Sequence, residues 1–244
     1  MEDRDLRSLM GSWVAIGCLL WLPVATVRAD AANCSLALLE RFAGETLEYG
    51  VQWKGFSLNS ERRIERAGAG WQAINRSSLL FMSIEEETRF RLEGLNLISE
   101  AYRYERHGLS DKRNLRLEFN GLGRVRYFSP RGDGVLDVEP PVFDLLNHQL
   151  QMRIDLSCRP PRDEYRYAIA RHDHVSEYRY RVLGTESVTT EAGTFEAVKL
   201  ERGEAGDHID HIWLAPALDH LIVRMVRTED GETAELELKK RPDR

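Results

Sequence analysis

The segment Asp207–His211 contains two histidines and two aspartates, residue types that can transfer protons or bind a metal. Side chains alternate between the two faces of a β-strand, so His208 and Asp210 would share one face while His211 lies on the other. His208 and Asp210 could form an acid–base pair, and with a bound metal they could support a hydrolase. No nucleophile motif or oxyanion-loop motif accompanies them. The pattern therefore favours a surface hydrogen bond or a cross-strand ion pair.

Two further polar segments contain residue types that bind metals. His172–Asp173–His174 places two imidazoles two residues apart, which on a strand would begin a metal site, but the segment lies between two strand-like runs and favours an exposed hairpin loop. The triplet Glu85–Glu86–Glu87 separates two short predicted strands and lacks the ligand spacing of a calcium loop. We predict no metal, no cofactor and no catalytic residue. A metal-assisted hydrolase using the region of His208 and Asp210 stays the alternative.

Seven aromatic residues form the candidate ligand-binding surface. Most of them recur at every second position of strand-like runs and are interleaved with arginines, as in Tyr165–Arg166–Tyr167. Such a strand face can line a groove for a sugar or a lipid, although aromatic strand faces more often pack in a core or against a neighbouring strand. The seven residues are Tyr102, Tyr104, Tyr165, Tyr167, Tyr178, Tyr180 and Trp213.

β-Strands are the elements that would position these side chains. The clearest strand signal is Thr233–Lys239, which alternates strictly between apolar and polar residues after the turn dipeptide Asp230–Gly231. Asn120–Gly121 is a second strong hairpin signal. Each predicted hairpin leads directly to the next, without the helical crossovers that make strands parallel. The sequence therefore predicts an antiparallel meander.

Two segments have helical periodicity instead. Residues 141–156 begin after Pro140, at a proline pair that fits a helix start, and their apolar residues recur at three- and four-residue spacings. A short helical lead-in lies within residues 30–45. We predict a mainly all-β fold, a strongly curved antiparallel meander sheet or open barrel with one main amphipathic helix packed in it. Residues 46–244 are expected to form a single domain.

Residues 1–29 predict export. Trp13–Val27 is almost wholly apolar and is followed by small residues at Ala29 and Ala31, which a signal peptidase could accept. The apolar run is short for a membrane-spanning helix, which needs roughly twenty residues, but retention as an N-terminal anchor stays open. We expect cleavage near Ala29 or Ala31 and a location in the periplasm. Membrane contact would then occur only through an uncleaved N-terminal segment.

Cys34 and Cys158 are the two cysteines that remain after such cleavage. An even count in an oxidising compartment favours one disulfide. A disulfide closing a loop of this length would stabilise the fold by about 4 to 5 kcal/mol. Sequence alone does not place the two sulfurs close together, so two unpaired, buried thiols stay the alternative.

Composition narrows the choice of partners. The chain has 244 residues, a formal net charge of −6 and lysines and arginines scattered along the strands, which argues against nucleic acid as a partner. A curved sheet leaves an apolar hollow that either a ligand or the protein's own side chains must fill. We therefore expect a non-enzymatic envelope protein that binds an amphipathic or polymeric ligand, a glycan or an envelope protein in its concave face. A structural component with a self-filled core is the alternative.

A series of short motifs supports the same fold. They are Tyr49–Gly50–Val51, Ser99–Tyr104, Arg116–Phe119, Phe143–Leu156, Thr190–Phe195 and Trp213–Leu214–Ala215. In order and spacing they resemble a family of exported bacterial proteins known as domain of unknown function 3108, from about Thr46 to Lys239. The resemblance implies a large, strongly curved antiparallel sheet or open barrel that partly encloses a helix. It implies no established activity, cofactor or catalytic residue.

Overall fold

A computed structural model gives the fold and describes residues 24–79, 81–108, 110–203, 208–229 and 231–240, with the side chains of 24–32 and 79 outside that description. This part of the chain contains two α-helices, α1 (Val24–Arg41) and α2 (Asn147–Cys158). Its strands are β1 (Thr46–Trp53), β2 (Phe56–Ala67), β3 (Gly70–Leu79), β4 (Met82–Glu93), β5 (Asn96–His107), β6 (Leu115–Phe119), β7 (Arg124–Ser129), β8 (Gly132–Asp137), β9 (Val142–Phe143), β10 (Glu164–Ala170), β11 (Val175–Thr190), β12 (Gly193–Gly203), β13 (His208–Ala215), β14 (Leu221–Glu229) and β15 (Glu232–Leu238).

A period of two in the sequence gives the strands one buried face. In β1, Leu47 and Tyr49 are buried while Glu48 between them is exposed. Cross-strand partners continue this face, because Tyr49 pairs with Leu238 on β15 and with Ser60 on β2. All the strands form a single sheet in the order β8-β7-β6-β5-β4-β3-β2-β1-β15-β14-β13-β12-β11-β10-β9.

The sheet is rolled, so that its two edges approach each other. β8 and β9 are the edges of the 15-stranded sheet, and the chain passes from one to the other through residues 138–141. A link of that length spans at most about 18 Å, whereas the edges of a flat sheet of this size would lie about 65 Å apart at the usual strand spacing. The strong curvature and open-barrel form predicted from the sequence are confirmed. The one departure from antiparallel pairing between named strands is β9, which runs parallel to β10.

Helix α2 lies inside the roll and contacts both halves of the sheet. The Asn147 side chain donates from Nδ2 to Ser99 Oγ on β5 at 2.9 Å, and His148 Nε2 lies 3.0 Å from Tyr180 Oη on β11. The sheet therefore covers the polar side of the helix as well as the apolar side. Gln151 and Arg153 are each 3% exposed.

The bounds of α2 differ from those predicted for residues 141–156. The helix begins later, at Asn147, because Val142 and Phe143 pair as strand β9 and Asp144 then forms the turn into the helix. The Asp144 carboxylate accepts the backbone N–H of Asn147 at 2.7 Å, as a capping side chain does. The helix continues to Cys158.

Helix α1 packs on the sheet and is covalently joined to α2. Leu38 and Leu39 belong to the main core, and Ser35 Oγ donates to the carbonyl oxygen of Gly94 at 2.6 Å. Cys34 and Cys158 form a disulfide with Cα atoms 5.8 Å apart, which confirms the predicted pairing. The lead-in helix begins earlier than the predicted residues 30–45, and the predicted leader before residue 24 lies outside the described residues. Neither described helix is long and apolar enough to cross a membrane.

Candidate functional site

Four of the seven predicted aromatic residues share one buried strand face, and three of them, Tyr167, Tyr178 and Tyr180, contact one histidine. Strand register pairs Tyr165 on β10 with Tyr180 on β11, and Tyr167 with Tyr178. All four tyrosines are buried. The His148 ring of α2 stacks on Tyr180 with centroids 6.1 Å apart and meets Tyr178 edge-on at 5.5 Å. On this side of α2 the protein's own side chains fill the concave face.

The other three predicted aromatic residues lie apart from this group. Tyr102 on β5 is buried on the opposite side of α2, and its hydroxyl donates to Glu86 Oε1 at 2.7 Å. Tyr104 is half-buried on the same strand. Trp213 belongs to a second core cluster and donates from Nε1 to Glu186 Oε1 at 2.6 Å. The ligand-binding role assigned to the seven residues stays a prediction.

His148 is neutral and hydrogen-bonded through both ring nitrogens. Nδ1 lies 3.2 Å from the backbone oxygen of Asp144, which can only accept, so Nδ1 carries the proton. Nε2 therefore accepts from the Tyr180 hydroxyl. Burial lowers the pKa of His148 to about 4, so the ring stays neutral at neutral pH. The lone pair of His148 Nε2 is therefore occupied by the hydrogen bond from the Tyr180 hydroxyl.

Asp144 is fully buried at the turn into α2. Its Oδ1 accepts the backbone N–H groups of Leu146 at 2.9 Å and Asn147 at 2.7 Å, and its Oδ2 lies 2.6 Å from Thr88 Oγ1 on β4. Burial raises the pKa of Asp144 to about 7, because the loss of solvation outweighs these hydrogen bonds. The Asp144 side chain therefore titrates near neutral pH.

Replacing Asp144 by Asn is expected to help the fold more at high pH than at low pH. The folded-state pKa of about 7 lies above the unfolded value, so the folded state binds the extra proton and the stability of the wild type falls as pH rises through about 7. An amide mimics the protonated acid, since its NH₂ can donate to Thr88. The difference in the free energy of unfolding, variant minus wild type, should be about 2 to 3 kcal/mol more positive at pH 8 than at pH 5, so the variant gains relative stability as the pH rises. Urea denaturation at both pH values measures this, and the same difference at both would contradict it.

Asp210 lies in a buried ion network rather than on the surface. The register of β13 places Asp210 opposite Arg202 on β12 and Arg227 on β14. Arg202 bonds Oδ2, while Arg227 donates from Nε to Oδ1 at 2.7 Å and from Nη2 to Oδ2 at 3.2 Å. The Asp210 side chain is 1% exposed. Of the two alternatives that the sequence favoured, the structure has the cross-strand ion pair and not the surface hydrogen bond, because this strand face turns into the roll.

The ion network makes Asp210 a poor proton acceptor. Burial by itself would raise the pKa of this carboxyl, but the hydrogen bonds and charges of Arg227 and Arg202 outweigh burial and hold the pKa below its usual value. His211 turns to the other face, where Nε2 lies 3.2 Å from Glu201 Oε2. His208 is half-buried, and Asp207 lies outside the described residues.

The other two segments with metal-binding residue types, 172–174 and 85–87, lie in a turn and in a strand. His172 and His174 lie in the turn between β10 and β11, where His174 Nδ1 is 2.7 Å from Asp173 Oδ1. The triplet 85–87 does not separate two short strands, because β4 runs through it without a break. Arg103 on β5 pairs with Glu85 and Glu87, while Glu86 on the other face accepts from Asn75 and Tyr102, so all three acids are stabilised in extended chain. In the part of the chain that the structure describes, no group of three or more His, Cys, Asp or Glu side chains is placed to hold a metal.

A cavity of about 40 Å³ lies between α2 and strands β1, β2, β3 and β14. It is partly open to the surface, and its walls are mainly aliphatic. None of the described residues that line it is acidic. The apolar lining residues are Leu47, Ile64, Ala73, Ile74, Leu146, Leu150, Leu221 and Ile222.

Arg62 and Arg153 are two of the three described arginines that line this cavity, and the third, Arg63, is an exposed residue of β2. Arg153 of α2 is 3% exposed, donates from Nε to the backbone oxygen of Asp219 at 3.4 Å and stacks on Phe42 at 4.6 Å, but its Nη2 is buried without a hydrogen-bond partner. Arg62 of β2 donates from Nη1 to Gln149 Oε1 at 3.0 Å, and its Nε is likewise buried and unpartnered. Both Arg62 and Arg153 therefore line the cavity and keep one donor without a partner among the residues described.

The electrostatics of the cavity suit binding rather than proton transfer. Burial lowers the pKa of Arg153 to about 10, so the guanidinium stays charged at neutral pH. Tyr49, the one hydroxyl among the described lining residues, donates to the backbone oxygen of Ile222 at 3.0 Å, and burial raises its pKa. This site was not predicted from the sequence, although Gln149 and Arg153 interrupt the apolar stripe of the helix. That interruption was the available signal.

The rolled sheet and its enclosed helix define a β-barrel-like protein. A crystal structure of a beta-barrel-like protein of domain of unknown function DUF1849 from Brucella abortus is similar, at 9% identity over 80% of this chain and 94% of that one, with a TM-score of 0.52. The chain belongs to the family described as "Protein of unknown function (DUF3108)", whose model matches residues 56–239. The resemblance stated from the motifs is thereby confirmed.

The other comparisons add little to this assignment. The crystal structure of a putative lipoprotein from Parabacteroides distasonis aligns with 82% of this chain and 97% of that one at 10% identity, but its TM-score of 0.29 is too low to carry an argument. No curated protein matches the chain. The family and the neighbouring structure support the fold and leave the ligand, partner and role to be inferred from the site.

Proposed function

We propose that the protein is exported to the cell envelope and binds an amphipathic ligand in the concave face of its sheet, beside α2, without catalysing a reaction. The observation that carries this proposal is the cavity against α2, whose mainly aliphatic lining includes Arg62 and Arg153, each with one buried nitrogen that has no hydrogen-bond partner in the described chain. Buried polar groups in native proteins are almost always hydrogen-bonded. Unused donors beside an apolar wall are therefore a place for a ligand with both a polar and an apolar part.

Export is supported by the N-terminal pattern and by the disulfide. The apolar run Trp13–Val27 followed by small residues is typical of a signal peptide. The bond between Cys34 and Cys158 needs an oxidising compartment such as the periplasm to persist. Both features favour a periplasmic location for the mature chain.

The absence of catalysis is proposed from the state of the titratable groups. His148 is neutral and bonded on both sides, and the Asp210 carboxylate is held by two arginines. A general base needs a lone pair that can reach a substrate proton. Neither group offers one to the cavity.

A structural role is the second candidate, and the tyrosine cluster favours it. Tyr165, Tyr167, Tyr178 and Tyr180 fill the concave face on one side of α2 with the protein's own side chains. A protein filled in this way throughout would need no ligand. The cavity on the other side of α2 is the reason for placing ligand binding first.

A titration followed by methyl NMR tests the proposal. Decanoate and 1-decanol are added separately to protein with ¹³C-labelled Ile and Leu methyl groups. Binding in the cavity is expected to shift the methyl resonances of Leu150 and Ile222 and to leave that of Leu122, which is 87% exposed and distant from the cavity, unchanged. Folded protein in which neither compound shifts Leu150 or Ile222 would contradict the proposed function.

A further inference from the structure

We infer that Arg62 and Arg153 form an oxyanion-binding site, so that the end of the ligand that enters the cavity carries a carboxylate or a phosphate group. This inference rests on the proposed function and specifies the chemistry of the bound group. Guanidinium groups donate in a planar fork that matches the oxygens of both anions.

Neither arginine is paired with a carboxylate in the part of the chain that the structure describes. Arg153 is almost completely buried, and a buried charge is normally paired with an opposite charge. Among the residues that the structure describes, no carboxylate lies within ion-pair distance of Arg153 or Arg62. The Asp219 carboxylate attracts the Arg153 charge electrostatically but forms its ion pair with Arg41. Its Oδ2 lies 2.5 Å from Arg41 Nη1.

Both arginines also have hydrogen-bond donors that no described protein group accepts. The neighbouring polar groups already have partners, since Gln149 Oε1 accepts from Arg62 and Tyr49 donates to the backbone. Arg153 and Arg62 each keep one buried nitrogen without a hydrogen-bond partner among the described residues, Nη2 and Nε respectively, and both residues line the same cavity. Two N–H donors on two cations fit one oxyanion placed between them.

The volume of the cavity limits which part of a ligand can enter it. The cavity of about 40 Å³ has room for about three water molecules, or for the few non-hydrogen atoms of a carboxylate or phosphate. An acyl chain does not fit within that volume. The apolar part of the ligand would therefore follow the aliphatic wall toward the open side, and only the anionic end would reach the two arginines.

The experiment compares head groups on the folded, disulfide-bonded protein. Decanoate and 1-decanol share an alkyl chain and differ in charge, while acetate and inorganic phosphate supply the anion without a chain. Because a hydrogen bond to a charged group is stronger than a neutral one, decanoate should bind at least about tenfold more tightly than decanol by calorimetry. Acetate or phosphate that shifts the Leu150 methyl resonance would identify free anions as a source of the group, and binding of decanoate alone would identify amphipaths.

Three variants test the roles of the arginines. Arg153→Met and Arg62→Met should each reduce the preference for decanoate over decanol to less than about threefold, since each removes one donor and one charge. Arg179→Met removes an equal charge from an exposed position on β11 and should keep the full preference. Arg62 is half-buried, so its variant keeps the test valid even if Arg153→Met fails to fold.

The outcomes separate the inference from the proposed function. Equal affinity for decanoate and decanol, with both shifting Leu150, would overturn the anion site and leave amphipath binding in place. A preference that survives in both cavity variants would also overturn it. No binding by any compound would remove the proposed function together with this inference.

Discussion

Removing the disulfide is expected to lower the free energy of unfolding by about 5 kcal/mol, because Cys34 and Cys158 are 124 residues apart and the cross-link restricts a long loop of the unfolded chain. The bond also joins the end of α2 to α1, whose Leu38 and Leu39 are part of the main core. Urea unfolding of a variant with both cysteines replaced by serine, compared with wild type, measures the loss.

Two controls separate the cross-link from the loss of the side chains. Wild-type protein in excess dithiothreitol should unfold at the same urea concentration as the double-serine variant, and the variant itself should not respond to the reductant. The single variants Cys34→Ser and Cys158→Ser should match the double variant, since either one opens the same loop. A double-serine variant as stable as oxidised wild type would show that the bond does not support the fold.

Replacing Asp210 by Asn is expected to destabilise the protein by about 3 to 5 kcal/mol, the usual cost of breaking a buried ion pair from one side. The change leaves the Arg202 guanidinium, whose side chain is 9% exposed, without its countercharge. Arg227 is 41% exposed and can be solvated, so the cost arises mainly at Arg202. Thermal and urea unfolding measure the effect.

The matching control is an exposed carboxylate of the same sheet. Glu177→Gln removes an acid whose side chain is 56% exposed and which pairs with Arg179 at 3.3 Å, so it should have a much smaller effect. A second variant, Arg202→Met with Asp210→Leu, removes both buried charges together and should recover most of the stability lost in Asp210→Asn. Wild-type stability in Asp210→Asn would show that the ion network contributes little.

The strands were the predictable part of the fold, because alternation and turn chemistry act locally. Thr233–Lys239 alternates strictly, and its apolar residues face the roll as predicted, with Leu238 opposite Tyr49. The strand prediction was wrong for residues 85–87. Three consecutive acids in β4 suggested a break, but pairing with arginines on neighbouring strands keeps the chain extended.

The burial of polar side chains was not predictable from local pattern. A helix with Gln149, Gln151 and Arg153 among its leucines predicts one solvated side, yet the rolled sheet surrounds α2 and buries most of that side. The burial of Asp210 was not predictable for the same reason. Which polar residues are enclosed depends on how far a 15-stranded sheet curls, and no short window of sequence contains that information.

The candidate site depends on contacts between distant parts of the chain. Arg62 and Arg153 belong to β2 and α2, and the Asp219 carboxylate pairs with Arg41 of α1 rather than with either of them. Periodicity showed that Arg153 interrupts an apolar stripe, but only the packed structure places it next to Arg62. The tyrosines were different, because their spacing by two predicted correctly that they share a strand face.

Native mass spectrometry of the full chain purified gently from cell envelopes tests ligand binding in the concave face most directly. We predict a folded protein heavier than its own denatured polypeptide by the mass of one small anionic amphipath, with that adduct lost in Arg153→Met and kept in Arg179→Met. Wild-type protein that carries no adduct, or the same adduct in both variants, would contradict the assignment of the cavity as the binding site.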